Sequence, residues 1–428
     1  MLWLVACSDS FRAVEKDPAP VADTGADGAD TATDSADDTG PDDGCASLVD
    51  AEREWLAWGV EVARSRDACE RTTFPFGGPQ GAVIRLEASG YGTNPSLRVT
   101  GADGTFVASG TGGALEVALP WAGELFFVVE PEARAAPVAA GITARATCLA
   151  GCDAAWTRYP IVLMHGFGGT DAYVDLLDYF YGVREDLTAR GYVVATPAVD
   201  AFQGVDARAS EWVDALEAFA AESHARRFNL VAHSQGGLDA RAIVGLEGRS
   251  DLVASITTIA TPHRGTPLAD VVHGAIELSP WDGWLLDQAV AAGAALLGLG
   301  EAEFSAQMED LTTEATTVFN AAVPDDPGVV YRSWSARSCG LLDGACQDET
   351  GGEVVDLLLV PTHALIALVG DENDGVVPTT SGVWGEHQGE LGADHFDEVG
   401  QIADDGTGAF DHGAFYRAEA AALAARGL

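Results

Sequence analysis

The chain contains two different patterns of apolar and polar residues, one before and one after about residue 155. Between residues 45 and 152, short apolar runs are separated by Gly-rich or Asp-Gly turns. Evenly spaced short strands of this kind predict an all-β sandwich. The expected strands are 82–87, 96–100, 105–109, 115–119, 124–130 and 141–147.

From Tyr159 onward, apolar strands alternate with helical segments. The stretch 210–223 predicts a helix, because Trp212, Leu216 and Phe219 fall on one face at helical spacing. A second helix is expected from Gly237. Buried strands crossed by helices predict an α/β fold with a mainly parallel central sheet. The expected strands are 160–165, 191–196, 228–233, 256–261 and 364–369.

The segment before residue 45 cannot build a core. Residues 8–44 are mostly Asp, Thr, Ala, Gly and Pro, so we expect a disordered acidic linker. The sequence LVAC at residues 4–7 has the form of a bacterial lipoprotein cleavage box, which predicts a signal remnant and a membrane tether through lipidated Cys7. Only Met1–Ala6 precede the cysteine, so either the true start lies upstream or the match is accidental. The predicted parts are 1–7, 8–44, an accessory β-domain at 45–152 and a catalytic domain at 153–428.

The charge of the chain limits which partners it can bind, and its cysteines indicate the compartment in which it folds. The chain has 23 Lys plus Arg against 66 Asp plus Glu, a formal net charge of -43, so nucleic acid is excluded as a partner. Apart from Cys7, the cysteines can pair, which favours export to the cell surface or the extracellular medium. We expect Cys339 and Cys346 to close a small loop. The pairing of Cys45, Cys69, Cys148 and Cys152 is left open.

Ser234 is the candidate nucleophile. The segment 228–237, FNLVAHSQGG, places it between a buried strand and a helix, on the sharp turn that α/β-hydrolases use. Small residues two before and two after the serine let strand and helix approach. Here Gly236 supplies the second, and Ala232 stands where glycine is usual. A hydroxyl needs a neighbouring base to attack at neutral pH.

The partners of the nucleophile follow it in the order acid, then histidine. Asp374 is the predicted acid and His395 the predicted base. Asp371 is the rival acid. His387 and His412 are the rival bases.

Backbone N–H groups must stabilise the oxyanion that forms on attack. One donor is expected from Gln235, directly after the nucleophile. The other is expected from Phe167 in the glycine-rich segment 165–169, HGFGG, which follows the first strand. The alternative for this segment is a turn without a catalytic role.

Several segments resemble the bacterial true lipases of the Pseudomonas and Burkholderia type. The similarity spans most of the chain from Tyr159 to Leu428, in matching order. It does not include the first 150 or so residues. The segments are YPIVLMHGFGGTD at 159–171, NLVAHSQGGL at 229–238, VASITTIATPHRGT at 253–266, NDGVV at 373–377 and HFDEVGQ at 395–401.

The resemblance implies a structural Ca²⁺ site beside the catalytic histidine. Its carboxylates would be Asp356 and Asp397, and backbone carbonyls of Gln401 and Asp405 would complete it. Family members also carry a helical lid, for which the apolar segment 281–299 is the candidate. A buried core helix is the alternative there. A dedicated foldase is a further partner that the resemblance implies.

Together these residues predict a hydrolase of carboxylic esters, most simply of triacylglycerols, acting as a monomer on lipid or ester substrates. A carboxylesterase or polyester depolymerase uses the same machinery and is the close alternative. A non-catalytic surface-binding protein is the remote alternative. The acyl-chain length, the stereopreference and the role of the β-domain cannot be read from the sequence.

Overall fold

The computed structural model describes residues 49–66, 69–131, 140–168, 179–274, 308–340, 343–350, 352–368, 370–401 and 410–428. The acidic linker, Cys7, Cys45, the lid candidate 281–299 and Asp405 lie outside these residues. No helix in the described ranges is long and apolar enough to cross a membrane.

The N-terminal part is a two-sheet β structure, as the sequence predicts. One sheet has the order β1-β3-β8-β5-β6, and the other has the order β2-β9-β4-β7. In β4, Ile84, Leu86 and Ala88 are buried while alternate residues are more exposed, so one face of each sheet contributes to a shared core. The strands are β1 (Val49–Glu52), β2 (Glu61–Arg66), β3 (Glu70–Gly78), β4 (Val83–Ser89), β5 (Ser96–Gly101), β6 (Phe106–Thr111), β7 (Ala114–Ala118), β8 (Gly123–Glu130) and β9 (Ala140–Ala150).

The C-terminal part is built on a parallel sheet with the order β11-β10-β12-β13-β14-β15. Its central strands are buried along their whole length, as helices on both faces require. The predicted α/β fold class, with a preceding all-β part, is confirmed. The strands are β10 (Ile161–Met164), β11 (Val194–Ala195), β12 (Phe228–His233), β13 (Val253–Ile259), β14 (Val330–Arg337) and β15 (Glu386–Gly392).

Helices connect these strands. Short 3₁₀ turns cover Ser250–Leu252, Glu309–Leu311 and Asp397–Val399. The helices are α1 (Val183–Arg190), α2 (Val205–Ser223), α3 (Gly236–Gly245), α4 (Pro267–Val272), α5 (Thr313–Ala322), α6 (Gly344–Thr350), α7 (Val360–Leu368) and α8 (His412–Ala425).

The strand expected at 364–369 is wrong, because the described residues of this apolar run, 364–368, belong to α7. Its buried residues are Thr362, Leu365 and Ile366, which are spaced as one face of a helix. Pro361 near the start of α7 fits the first helical turn, where no backbone donor is needed. A short apolar run does not by its pattern alone distinguish a buried strand from a buried helix.

The β-domain packs against the edge of the parallel sheet at which the strands begin. Glu124 of β8 forms ion pairs with Arg158, just before β10, and with Arg226, just before β12. His224, at the end of α2, stacks on Trp121 with ring centroids 4.1 Å apart. Because Ser234 follows the other end of β12, these contacts lie at the opposite edge from the candidate nucleophile.

Two disulfides join cysteines that are close in sequence. The expected pairing of Cys339 with Cys346 is confirmed. Cys148 is bonded to Cys152, which settles part of the pairing that the sequence left open. This second bridge lies where β9 ends and the chain passes into the part built on the parallel sheet. Cys69 is disulfide-bonded as well.

Candidate active site

Ser234 lies on a strained turn between β12 and α3. Its φ is 56°, in the left-handed region that side chains other than glycine rarely adopt. Its backbone N–H donates to the carbonyl of Ile259 on the neighbouring strand, at 3.0 Å. This hydrogen bond ties the backbone of the turn to β13.

The residues around this turn have to be small. A Cβ added to Gly236 would lie 2.7 Å from the Met164 carbonyl oxygen, and one added to Gly237 would lie 2.1 Å from Thr261 Oγ1. Both distances are below normal van der Waals contact. Ala232 is fully buried, so alanine is accommodated at the position where glycine is usual.

Ser234, His395 and Asp374 form a hydrogen-bonded chain. Ser234 Oγ lies 3.0 Å from His395 Nε2, and His395 Nδ1 lies 2.9 Å from Asp374 Oδ2. The other Asp374 oxygen accepts hydrogen bonds from the N–H groups of Val376, at 2.8 Å, and Val377, at 2.6 Å. The imidazole is therefore oriented from one side and faces the hydroxyl on the other.

The rival candidates contact other groups. His387 Nδ1 lies 3.3 Å from Ser333 Oγ on β14, and His412 Nε2 lies 3.0 Å from the Tyr181 carbonyl. The Asp371 carbonyl accepts from the Asn373 side chain. The histidine that reaches Ser234 is His395.

The two residues predicted to supply oxyanion donors lie beside Ser234. Gln235 follows it directly and is buried. The loop that contains Phe167 passes over the serine, because a Cβ on Gly166 would lie 2.6 Å from Ser234 Cβ. The backbone of Phe167 is one residue from this close approach, so its role as a donor stays a prediction.

A buried ion pair, which the sequence analysis missed, connects the loop to the nucleophile helix. Arg208 of α2 and Asp239 of α3 are fully buried and paired at 2.8 Å. Arg208 also donates to the carbonyl of His165, at 2.8 Å, directly before Gly166. Burial raises the pKa of Asp239 to about 6, against the opposing effect of Arg208.

The C-terminal part of the chain is similar to a known protein family and to solved lipase structures. The family model for palmitoyl protein thioesterase matches residues 160–293. Among solved structures, lipase 1 from Pelosinus fermentans is 22% identical with a TM-score of 0.46, and the match covers 63% of this chain and 99% of that chain.

Curated relatives give the family. A triacylglycerol lipase of Vibrio cholerae is 32% identical over 271 residues, which cover 57% of this chain and 80% of the relative. A triacylglycerol lipase of Burkholderia plantarii is 30% identical over 310 residues, which cover 62% of this chain and 86% of the relative. The chain belongs to the triacylglycerol lipase family. The resemblance seen in the sequence is thereby confirmed, and the protein is an ester hydrolase.

A second buried carboxyl group lies beside the hydrogen-bonded chain of Ser234, His395 and Asp374. Glu398 is fully buried, and its Oε2 is 2.8 Å from His233 Nε2 and 3.8 Å from His395 Nδ1. His233 Nδ1 in turn lies 2.7 Å from the hydroxyl of Tyr179. Burial, and then the charge of Asp374, raises the pKa of Glu398 well above its usual range.

Glu398, His233 and Tyr179 were not predicted as site residues from the sequence. Glu398 could have been found from its position three residues after His395, because one helical turn would bring its side chain back beside the histidine. Nothing in the sequence places Tyr179 against His233, because the two are far apart along the chain.

A cluster of carboxylates lies behind His395. Glu353, Asp394 and Asp397 each offer an oxygen within 4.8 Å of the others. Burial, and then the charge of Asp397, raises the pKa of Glu353 to about 9. Asp394 has its pKa raised to about 6, first by burial and then by Asp397. Burial and mutual repulsion make it unfavourable for these acids to carry negative charge together. A hard cation such as Ca²⁺, which prefers oxygen ligands, would offset that repulsion.

The predicted calcium ligands coincide with this cluster in part. Asp397 belongs to it. The backbone N–H of Asp356 donates to Asp394 Oδ2 at 2.7 Å, so Asp356 borders the cluster. Gln401 follows the 3₁₀ turn and donates its N–H to the Phe396 carbonyl at 2.9 Å. Glu353 and Asp394 were not selected from the sequence.

Proposed function

We propose that this lipase hydrolyses triacylglycerols through an acyl-enzyme on Ser234. The observation that supports the proposal most directly is the chain of hydrogen bonds from Ser234 Oγ to His395 and on to Asp374. The strained backbone at Ser234 and the close approach of Gly166 add to it. A hydroxyl in contact with an oriented imidazole is suited to attack a carboxylic ester.

In the proposed reaction, Ser234 Oγ bonds to the ester carbonyl carbon while its proton passes to His395 Nε2. The backbone N–H groups of Phe167 and Gln235 stabilise the oxyanion. The ester bond breaks, and the alcohol leaves with the proton from His395. Water then gives a proton to His395 and attacks the acyl carbon, which releases the fatty acid and restores Ser234.

The pairing of His395 with Asp374 gives a prediction that separates the two candidate acids. Asp374→Asn should lower kcat on p-nitrophenyl esters by about two to four orders of magnitude, because the amide cannot hold the correct imidazole tautomer or stabilise the imidazolium. Asp371→Asn is the matched control and should keep most of the activity. The assignment fails if the two variants show the opposite pattern.

The substrate class requires a separate test. Activity on emulsified triolein, compared with p-nitrophenyl esters of increasing chain length, distinguishes a lipase from a carboxylesterase. We expect turnover of the long-chain emulsion. Turnover restricted to short dissolved esters would favour the carboxylesterase, and release of soluble products from polyester films would favour the depolymerase.

We also propose a structural Ca²⁺ at the carboxylate cluster behind His395. Asp356 and Asp397, with carbonyl oxygens of Gln401 and Asp405, would hold it, and the ion would supply positive charge that pins the loop of His395. The buried, mutually repelling carboxylates support this proposal. The net charge of -43 is compatible with cation binding but does not locate it.

Removing divalent cations should therefore destabilise the protein. At a calcium concentration about 100 times the Kd, binding adds roughly 2.7 kcal/mol to the free energy of unfolding. EDTA should lower the midpoint of thermal unfolding, and added CaCl₂ should restore it, as followed by circular dichroism. An unfolding midpoint that is the same in EDTA and in CaCl₂ would contradict the proposal.

The proposed location is the cell surface, with lipidated Cys7 as the tether. Metabolic labelling with a fatty-acid analogue tests this, since label should appear in the full chain and be lost in Cys7→Ser.

A further inference from the structure

The carboxylate of Glu353 faces the cluster behind His395 from a separate segment of the chain. Glu353 lies between α6 and α7 and is 1% exposed. Asp394, in contrast, directly precedes His395, and Asp397 follows it by two residues. Because one oxygen of each acid lies within 4.8 Å of the other two, the cluster joins two segments that are distant in sequence.

Among the described residues, neither oxygen of the buried Glu353 carboxylate accepts a hydrogen bond from an N–H or hydroxyl donor, and its polar neighbour is the carboxyl group of Asp397. Among the residues that the structure describes, no Arg, Lys or His forms an ion pair with it. A buried carboxylate without a donor or a counter-charge is strongly unfavourable.

The neighbouring Asp394 differs from Glu353, because its oxygens are engaged by the backbone. Asp394 Oδ1 accepts from the N–H groups of Phe396 and Asp397, at 2.9 and 3.0 Å, and Oδ2 accepts from Asp356 N–H at 2.7 Å. Asp394 therefore holds the two segments in register. Glu353 differs in that no backbone N–H of the described residues donates to its carboxylate, which faces Asp394 and Asp397 in the cluster.

We propose that Glu353 is a direct ligand of the divalent cation, in addition to the aspartates that the family resemblance implies. This inference rests on the proposed calcium site. Ca²⁺ takes six to eight oxygen ligands, and its affinity rises with the number of charged ones. A third carboxylate would make this site tighter than a site with two, and would link the segment of Glu353 to the loop of His395.

Calcium binding to the full chain tests the assignment without a catalytic readout. Isothermal titration of cation-free protein with CaCl₂ would be compared for the wild type, Glu353→Gln and the control Glu349→Gln. Glu349 lies on the nearby helix α6 and is 66% exposed in an ion pair with Arg337. We expect Glu353→Gln to weaken calcium binding by roughly tenfold or more, and Glu349→Gln to leave it unchanged.

Thermal unfolding distinguishes a lost ligand from a damaged fold. In EDTA, Glu353→Gln should unfold at the same temperature as the wild type or higher, because it removes a buried carboxylate that has no N–H or hydroxyl donor among the described residues. In CaCl₂ it should unfold at a lower temperature than the wild type. A merely structural glutamate would lower the midpoint in both conditions, and that result would overturn the inference.

The outcomes also separate this inference from the proposals on which it rests. If the wild type binds calcium and Glu353→Gln binds it equally well, Glu353 is not a ligand and the calcium proposal stands. If the wild type does not bind calcium, both fail. Neither result bears on ester hydrolysis, which the Ser234 and Asp374 variants test.

Discussion

Ser234→Ala should abolish ester hydrolysis, with a fall in kcat of about 10⁶ on a soluble p-nitrophenyl ester. The methyl group cannot form a bond to the substrate carbonyl, and His395 then has no hydroxyl from which to take a proton. The oxyanion donors remain and should leave a residual acceleration of roughly 10³–10⁴ over water. Pre-steady-state kinetics with the wild type should show a burst of p-nitrophenol, which the variant lacks.

The fold should survive this change. Ser234 Oγ contacts His395, whereas the backbone of Ser234 forms the structural hydrogen bond to Ile259. Alanine also removes no large side chain from the core. Ser210→Ala, an exposed serine hydrogen-bonded to Glu247, serves as the matched control and should keep full activity. Undiminished turnover by Ser234→Ala would rule out the proposed nucleophile.

Arg208→Met should cost about 3–5 kcal/mol in the free energy of unfolding, measured by urea denaturation at pH 8. The variant leaves Asp239 buried without its counter-charge and removes the donor to the His165 carbonyl. Loss of that donor should also loosen the loop of Phe167 and lower kcat on esters. The matched double variant Arg208→Met/Asp239→Leu should recover a large part of the lost stability, because it removes the unpaired charge as well.

The effect of Arg208→Met should depend on pH in a defined direction. The pKa of Asp239 is raised in the folded protein, from 3.8 to about 6, so the folded state binds this proton more tightly than the unfolded state. Asp239 therefore lowers stability as pH rises through this range. Without Arg208 the folded pKa should rise further, so the variant should be less impaired at pH 5 than at pH 8. An equal loss of stability at both pH values would show that the unpaired carboxylate is not its cause.

Local features of the sequence were sufficient to predict the turn at Ser234 between a strand and a helix. Its requirements are a buried strand, a serine and small residues in fixed positions, and all of them lie within one short segment. The order of Ser234, Asp374 and His395 along the chain reflects the connectivity of the fold, so these residues could be selected without coordinates. The same holds for most of the strands of the β-domain, where alternation of apolar residues signals one buried face.

The run at 364–369 shows where local pattern fails. Its apolar residues fit a buried strand or a buried helix equally well, and packing decides between them. The sixth strand of the parallel sheet, Glu386–Gly392, was missed for the opposite reason. It is an edge strand that is polar and rich in glycine, so its position beside β14 is fixed by pairing and not by its own composition.

The sequence by itself determined the class of chemistry and the fold that supports it, because both depend on residues that are close together or in a fixed order. Only the tertiary structure brought together Arg208 with Asp239, Glu398 with His233, and Glu353 with Asp397. Each of these pairs joins separate segments of the chain. Their charges become energetically unfavourable only when folding removes water from around them, so the sequence alone does not reveal them. The distinction follows from the range of the forces: propensity and turn geometry act locally, whereas desolvation depends on the whole fold.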